Sequence, residues 1–78
     1  MEAYIFVNSE PGMLWQIAEE ALKIDGVKMA HAVTGQFDVV AYAEIVNMAM
    51  LREIIDKFQA IQGVQRTQTA VAMPPRLE

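Results

Sequence analysis

Ile24-Asp25-Gly26-Val27 returns later in the chain as Ile61-Gln62-Gly63-Val64. Each copy follows a stretch with helical spacing and opens a stretch rich in strand-forming residues. Before the first copy, Leu14, Ile17, Ala18, Ala21 and Leu22 recur at i, i+3, i+4, i+7 and i+8, which is one face of a helix. Before the second, Leu51, Ile54, Ile55 and Phe58 form a similar stripe. The glycine that follows each stripe supplies the left-handed conformation that commonly ends a helix. Ser9, with Pro11 behind it, is placed to cap the first helix, and Asn47 to cap the second.

Outward from the two copies lie four strands. Residues 3–8 combine aromatic and β-branched types, and residues 27–34 and 64–73 follow the two glycines. Residues 37–45 form the remaining strand, joined to 27–34 through a Gly35-Gln36 turn as a hairpin. Pro74-Pro75 cannot continue a ladder and marks the tail. The order β-α-β-β-α-β is two strand–helix–strand units with right-handed crossovers. Interleaved, they predict an α+β, ferredoxin-like split β-α-β fold: a four-stranded antiparallel sheet with two helices on one face. Seventy-eight residues make one domain, taken as 1–78.

A chain this short buries a small share of its surface on folding, yet 54% of its residues are hydrophobic. Two arrangements fit that excess: a tightly packed monomer, or a protomer that hides apolar surface against copies of itself. The third strand supports the second. One side carries Phe37, Val39, Ala41, Ala43 and Ile45, and the other Asp38, Val40, Tyr42 and Glu44, so neither side is plainly polar. An exposed apolar sheet face usually marks an interface, and face-to-face packing of two sheets is its simplest cover.

Composition excludes several function classes. There is no cysteine, hence no disulfide and no thiolate metal site, and the single histidine, His31, builds no metal site alone. Net charge is −4, and the six basic residues form no stripe, which argues against direct nucleic-acid binding. No apolar run approaches the roughly 20 residues of a membrane span, and the N-terminus lacks the pattern of a signal peptide. A soluble, cytoplasmic protein is expected. Catalytic sets are scarce: Ser9, the only serine, is explained as a cap, His31 on a strand reads as a packed or interface residue, and no glycine loop precedes a Lys-Ser/Thr pair. No catalytic residue and no cofactor are expected.

One cluster stands apart. The turn reads Thr34-Gly35-Gln36-Phe37-Asp38, and the last strand carries Thr67-Gln68-Thr69. A turn amide freed by glycine and a threonine hydroxyl can hold a carboxylate, while Asp38 can hold an ammonium, as a free amino acid requires. The same residues are also those of an ordinary turn, with an Asp bonding local backbone and two threonines that favour strands.

Val33-Thr34-Gly35-x-Phe37-Asp38, then Leu51, then Ile61-x-Gly63-Val64-x-Arg66-Thr67-x-Thr69 resembles the effector-binding (RAM) domain of the Lrp/AsnC transcription regulators. The resemblance runs from the first strand to about Met73. It implies dimers joined through their sheets, higher rings of dimers, and small ligands, typically amino acids, held near dimer–dimer contacts. Gly35 and Asp38 match the family's turn, and Thr67 and Thr69 its last strand; with Thr34 they form the expected ligand set. Family regulators begin with a helix-turn-helix domain, and here the first strand follows Met1 almost at once. The resemblance therefore implies a stand-alone effector domain that senses an amino acid, with a full-length regulator as a possible partner. A small dimeric α+β-barrel enzyme of the monooxygenase type, with His31 as its base, shares the architecture and stands as the alternative.

Overall fold

The computed structural model describes residues 1–76. Its elements are β1 (Glu2–Ser9), α1 (Leu14–Ala21), β2 (Val27–Ala32), β3 (Val39–Glu44), α2 (Met48–Ala60) and β4 (Val64–Val71). The strands lie in the order β2-β3-β1-β4, and every neighbouring pair is antiparallel. The crossover through α1 leaves a gap between β1 and β2 that β3 fills. The crossover through α2 then carries β4 to the far side of β1. This is the ferredoxin-like arrangement expected from the element order.

The two helix–strand corners are near copies. Val27 N–H donates to the Ile24 carbonyl at 3.1 Å, and Val64 N–H to the Ile61 carbonyl at 3.2 Å. Gly26 and Gly63 adopt φ values of 97° and 96°, which L side chains rarely reach. Each glycine also has a methionine against it: a Cβ on Gly26 would sit 2.6 Å from Met50 Cε, and one on Gly63 would sit 2.8 Å from Met13 Cβ. Their carbonyls accept from Glu44 N–H and Glu10 N–H, so each corner ties a helix end to a neighbouring segment.

The core lies between the helices and one side of the sheet. Ala3, Ile5 and Val7 of β1 face it with Val39, Ala41 and Ala43 of β3, all without exposure. Three of these six are alanine, so the space above the sheet is filled from the helices. Phe58, Ile17 and Ile54 are among the largest fully buried side chains, each contributing about 1.5–3 kcal/mol by leaving water.

α2 follows the sequence pattern: Asn47 Oδ1 accepts from Met50 N–H at 2.9 Å, and Leu51, Ile54 and Phe58 are buried. α1 departs from it. Ser9 is not its cap but the last residue of β1, and the helix begins at Leu14 behind Met13, which makes no side-chain cap bond. Ser9 stays in the sheet instead, paired with Val64, and its N–H donates to Asp38 Oδ2 at 2.8 Å. Leu22 lies beyond the last turn and is exposed, and Ile24 is buried in its place. The third strand also starts later than expected, at Val39. Phe37 does not continue its buried side; its ring packs on Phe6, with centroids 5.1 Å apart.

Strand alternation places Tyr4 and Phe6 of β1, Met29 and His31 of β2, and Val40 and Tyr42 of β3 on the other side of the sheet. No helix among the described residues covers that side. Tyr4 and Tyr42 pack at 5.4 Å, and the two phenylalanines form a second aromatic pair. No helix among the described residues is long and apolar enough to cross a membrane.

Candidate ligand site

The segment between β2 and β3, residues 33–38, is closed by backbone: Val33 N–H donates to the Asp38 carbonyl at 2.9 Å, and Asp38 N–H to the Val7 carbonyl at 2.8 Å. Asn8 Nδ2 donates to the Gln36 carbonyl at 2.8 Å. Together with the Ser9–Asp38 bond, these contacts lash the turn to the end of β1. At its tip Gly35 has φ 112° and is exposed, and a Cβ there would meet nothing within 4 Å. Its backbone is open on the side where a side chain would stand.

β1 makes this lashing possible. Its register against β4 shifts between Asn8 and Ser9, so that Asn8 faces Arg66 while Ser9 faces Val64, and Gln65 is the extra residue. A bulge of this kind re-aims groups at a sheet edge. Here it directs Ser9 N–H to the Asp38 carboxylate.

Two hollows flank the turn. On the open side, Asn8, Gln36, Asp38, Gln65, Arg66 and Gln68 line a polar cavity of about 470 Å³. On the helix side, Leu14, Trp15, Ala32, Val33 and Thr34 line an apolar groove of about 490 Å³, where Trp15 is 69% exposed. Thr34, Gly35 and Asp38 thus share one turn, but Thr34 and Asp38 face different hollows. Thr67 and Thr69 do not join them in this protomer. They pair with Val7 and Ile5, whose side chains are buried, so both threonines belong to the helix side of the sheet. Thr67 Oγ1 there accepts from Gln59 Nε2 at 3.3 Å. Sequence reasoning did not name Asn8, Arg66 or Trp15 as ligand residues, although Arg66 stands in the quoted motif. The signal for Arg66 was present: it directly precedes Thr67, and period-2 alternation sends it to the opposite face.

The opposite corner of the open face carries negative charge. Glu2 and Glu44 face each other across the β1–β3 ladder. Tyr42 hydroxyl donates to Glu2 Oε2 at 2.9 Å. That hydrogen bond, then desolvation, then the charges of Glu2 and Glu44 push the Tyr42 phenol up to about 12. On α1, Glu20 pairs with Lys23 at 2.7 Å and raises the lysine pKa, mainly by the hydrogen bond. His31 is exposed on β2 and lines neither hollow. Among the described residues no three His, Cys, Asp or Glu side chains cluster to hold a metal.

Comparison with known proteins adds family and fold. The family model described as the Lrp/AsnC ligand binding domain matches residues 2–76. The HTH-type transcriptional regulator LysM of Saccharolobus solfataricus is 27% identical over 74 residues, which cover 94% of this chain and 52% of the regulator. This chain spans about half the length of the curated relatives it matches. A crystal structure from Thermus thermophilus superposes with a TM-score of 0.90 at 20% identity, over 99% of this chain and 98% of that one. A transcriptional regulator of Neisseria meningitidis, solved as a complex with L-methionine, gives 0.82 at 21% identity, over 99% of this chain and 52% of that one. At these identities the two structures bear on fold alone.

Proposed function

The chain belongs to the Lrp/AsnC ligand-binding domain family, and on that premise we propose that it is an oligomeric amino-acid-sensing domain and not an enzyme. The observation that carries this is the lashed turn, which carries both the half-buried carboxylate of Asp38 and the exposed backbone of Gly35. L-methionine in the Neisseria regulator supports a free amino acid as the ligand class. In this proposal residues 1–78 act as one effector-binding domain. Asp38 takes the ammonium and the Thr34–Gly35 amides take part in holding the carboxylate. Thr67 and Thr69 lie on the helix side, so their hydroxyls reach the same ligand only from a second copy. Dimers formed through the open sheet face and higher rings of dimers belong to this proposal, and only the rings could bring a helix-side threonine to the turn. A cytoplasmic setting and a full-length Lrp/AsnC regulator as partner belong to the same proposal. With net charge −4, direct nucleic-acid binding does not.

A thermal-shift screen of the standard amino acids tests the proposal, because a ligand that binds the folded state raises its apparent stability by mass action. At least one amino acid is expected to raise the melting temperature, and no response to any of them overturns the reading. Two Asp38 variants then locate the site. Asp38→Asn keeps an acceptor for Ser9 N–H but loses the charge. It is expected to weaken binding by about one to two powers of ten, the worth of a charged hydrogen bond. Asp38→Ala also releases Ser9, so it should weaken binding at least as much and lower stability too. Unchanged affinity in Asp38→Asn removes Asp38 from the site. The monooxygenase-type alternative needs His31 beside a cavity, and its exposed place on β2 does not favour it.

A further inference from the structure

We propose that Arg66 takes the carboxylate of an α-amino acid whose ammonium Asp38 holds, so that one protomer grips both ends of the zwitterion in the polar cavity between the turn and β4. This rests on the amino-acid reading above and deepens it by naming the anion-binding group.

Arg66 and Asp38 line the same cavity of about 470 Å³. Arg66 is exposed, and its side chain has no hydrogen-bond or ion-pair partner among the described residues. Asp38 is half-buried, and its Oδ2 is occupied by Ser9 N–H, which leaves Oδ1 for another donor. A guanidinium and a carboxylate that line one hollow without pairing present opposite charges across a gap. A zwitterion bridges that gap with each of its charges met. Arginine suits the task because its planar fork binds a carboxylate in a bidentate manner. The Asn8, Gln65 and Gln68 amides around it add neutral donors and acceptors without competing charge.

The register of β1 against β4 sets the two charges at one corner of the sheet. Arg66 pairs with Asn8, whose side chain stands on the open face, and at the next residue Ser9 N–H donates to Asp38. Thr67 and Thr69 lie across the sheet, and a neutral hydroxyl there is both weaker than a guanidinium and already engaged at Thr67. A ligand lacking the α-carboxylate loses one end of this grip, so the cavity selects free α-amino acids over amines and amino-acid amides.

Calorimetry with L-methionine and L-methioninamide tests the assignment on the intact chain and on Arg66→Gln and Thr67→Val. Wild type is expected to bind L-methionine more tightly than the amide. Arg66→Gln is expected to lose about ten- to a hundredfold in L-methionine affinity and to bind the two probes alike. Arg66 is exposed and outside the core, so circular dichroism should show the wild-type fold. Wild-type affinity in Arg66→Gln, or loss of discrimination in Thr67→Val alone, overturns the proposal and returns the carboxylate to the threonines. A wild-type chain that gives no heat with L-methionine or any other standard amino acid fails the amino-acid reading itself, and this proposal with it.

Discussion

The same four strands present two apolar faces with opposite fates. On the helix side, Ala3, Ile5, Val7, Val39, Ala41 and Ala43 are without exposure beneath α1 and α2. One residue along, Tyr4, Phe6, Val40 and Tyr42 look outward with no helix above them, and their cover is aromatic pairing at 5.1 and 5.4 Å. The first face closes within the protomer, and its small-against-large packing defines the fold. The second is left open, so a high hydrophobic fraction in a short chain is accounted for by two surfaces of which the protomer satisfies one. The open face is bordered by the Asp38–Arg66 cavity at one corner and the Glu2–Glu44–Tyr42 cluster at another. In the proposed reading, assembly and ligand binding would be neighbours on the same surface.

The largest effect expected from breaking this comparison comes from the closed face. Phe58→Ala removes the largest fully buried side chain and should cost about 3–5 kcal/mol, a large fraction of a small domain's roughly 5–15 kcal/mol. Urea unfolding would measure it, and the loss should be the same at every protein concentration. A cost below about 1 kcal/mol, the range of a surface substitution, would show that the closed face is not the seat of stability.

Phe6→Asp tests the other face. A carboxylate placed beside Phe37 on the open side disturbs no helix contact, but it would be costly to bury against a second copy. Wild type is expected to sediment as a dimer or larger at micromolar concentration, and the variant to shift toward monomer with its circular dichroism retained. The unfolding midpoint should fall with dilution in the wild type and not in the variant, since an oligomer's stability depends on protomer concentration. A wild-type chain that sediments as a stable folded monomer would break the comparison outright.

Much of the closed face was legible in the sequence, because period-3.6 stripes, the Asn47 cap and the repeated Ile-x-Gly-Val corner are local signals. What failed locally was overridden by a distant residue. Ser9 reads as a cap until its pairing with Val64 keeps it in the sheet, and Phe37 reads as core until Phe6 offers it a ring. The candidate site was half legible. The Thr34–Asp38 turn is contiguous and carries its own glycine, so it could be singled out. Which side of the sheet Thr67 and Thr69 take depends on their pairing with Val7 and Ile5 of β1, a long-range register that no local pattern announces. Alternation with Thr67 gives the face of Arg66, but only the register against β1 brings it to the cavity that Asp38 lines.

The smallest effect sharpens the comparison at the acidic corner of the open face. Tyr42 donates to Glu2 while Glu2 faces Glu44, so the phenol proton lies among carboxylates and is retained up to about 12. In the unfolded chain a tyrosine releases its proton near pH ~10. Below that value both states are protonated, and the contribution of the bond to stability is present in full. From there to about 12 the unfolded chain deprotonates while the folded one does not, so this contribution declines as pH rises and is lost through the folded value. Tyr42→Phe lacks the proton and should be insensitive to that window. Urea midpoints measured from about two pH units below the unfolded value upward should therefore start lower in Tyr42→Phe than in wild type and converge with it as the solution becomes alkaline. Parallel curves would mean that the Tyr42–Glu2 bond adds nothing to the fold. The open face would then be held in shape by its aromatic pairs alone.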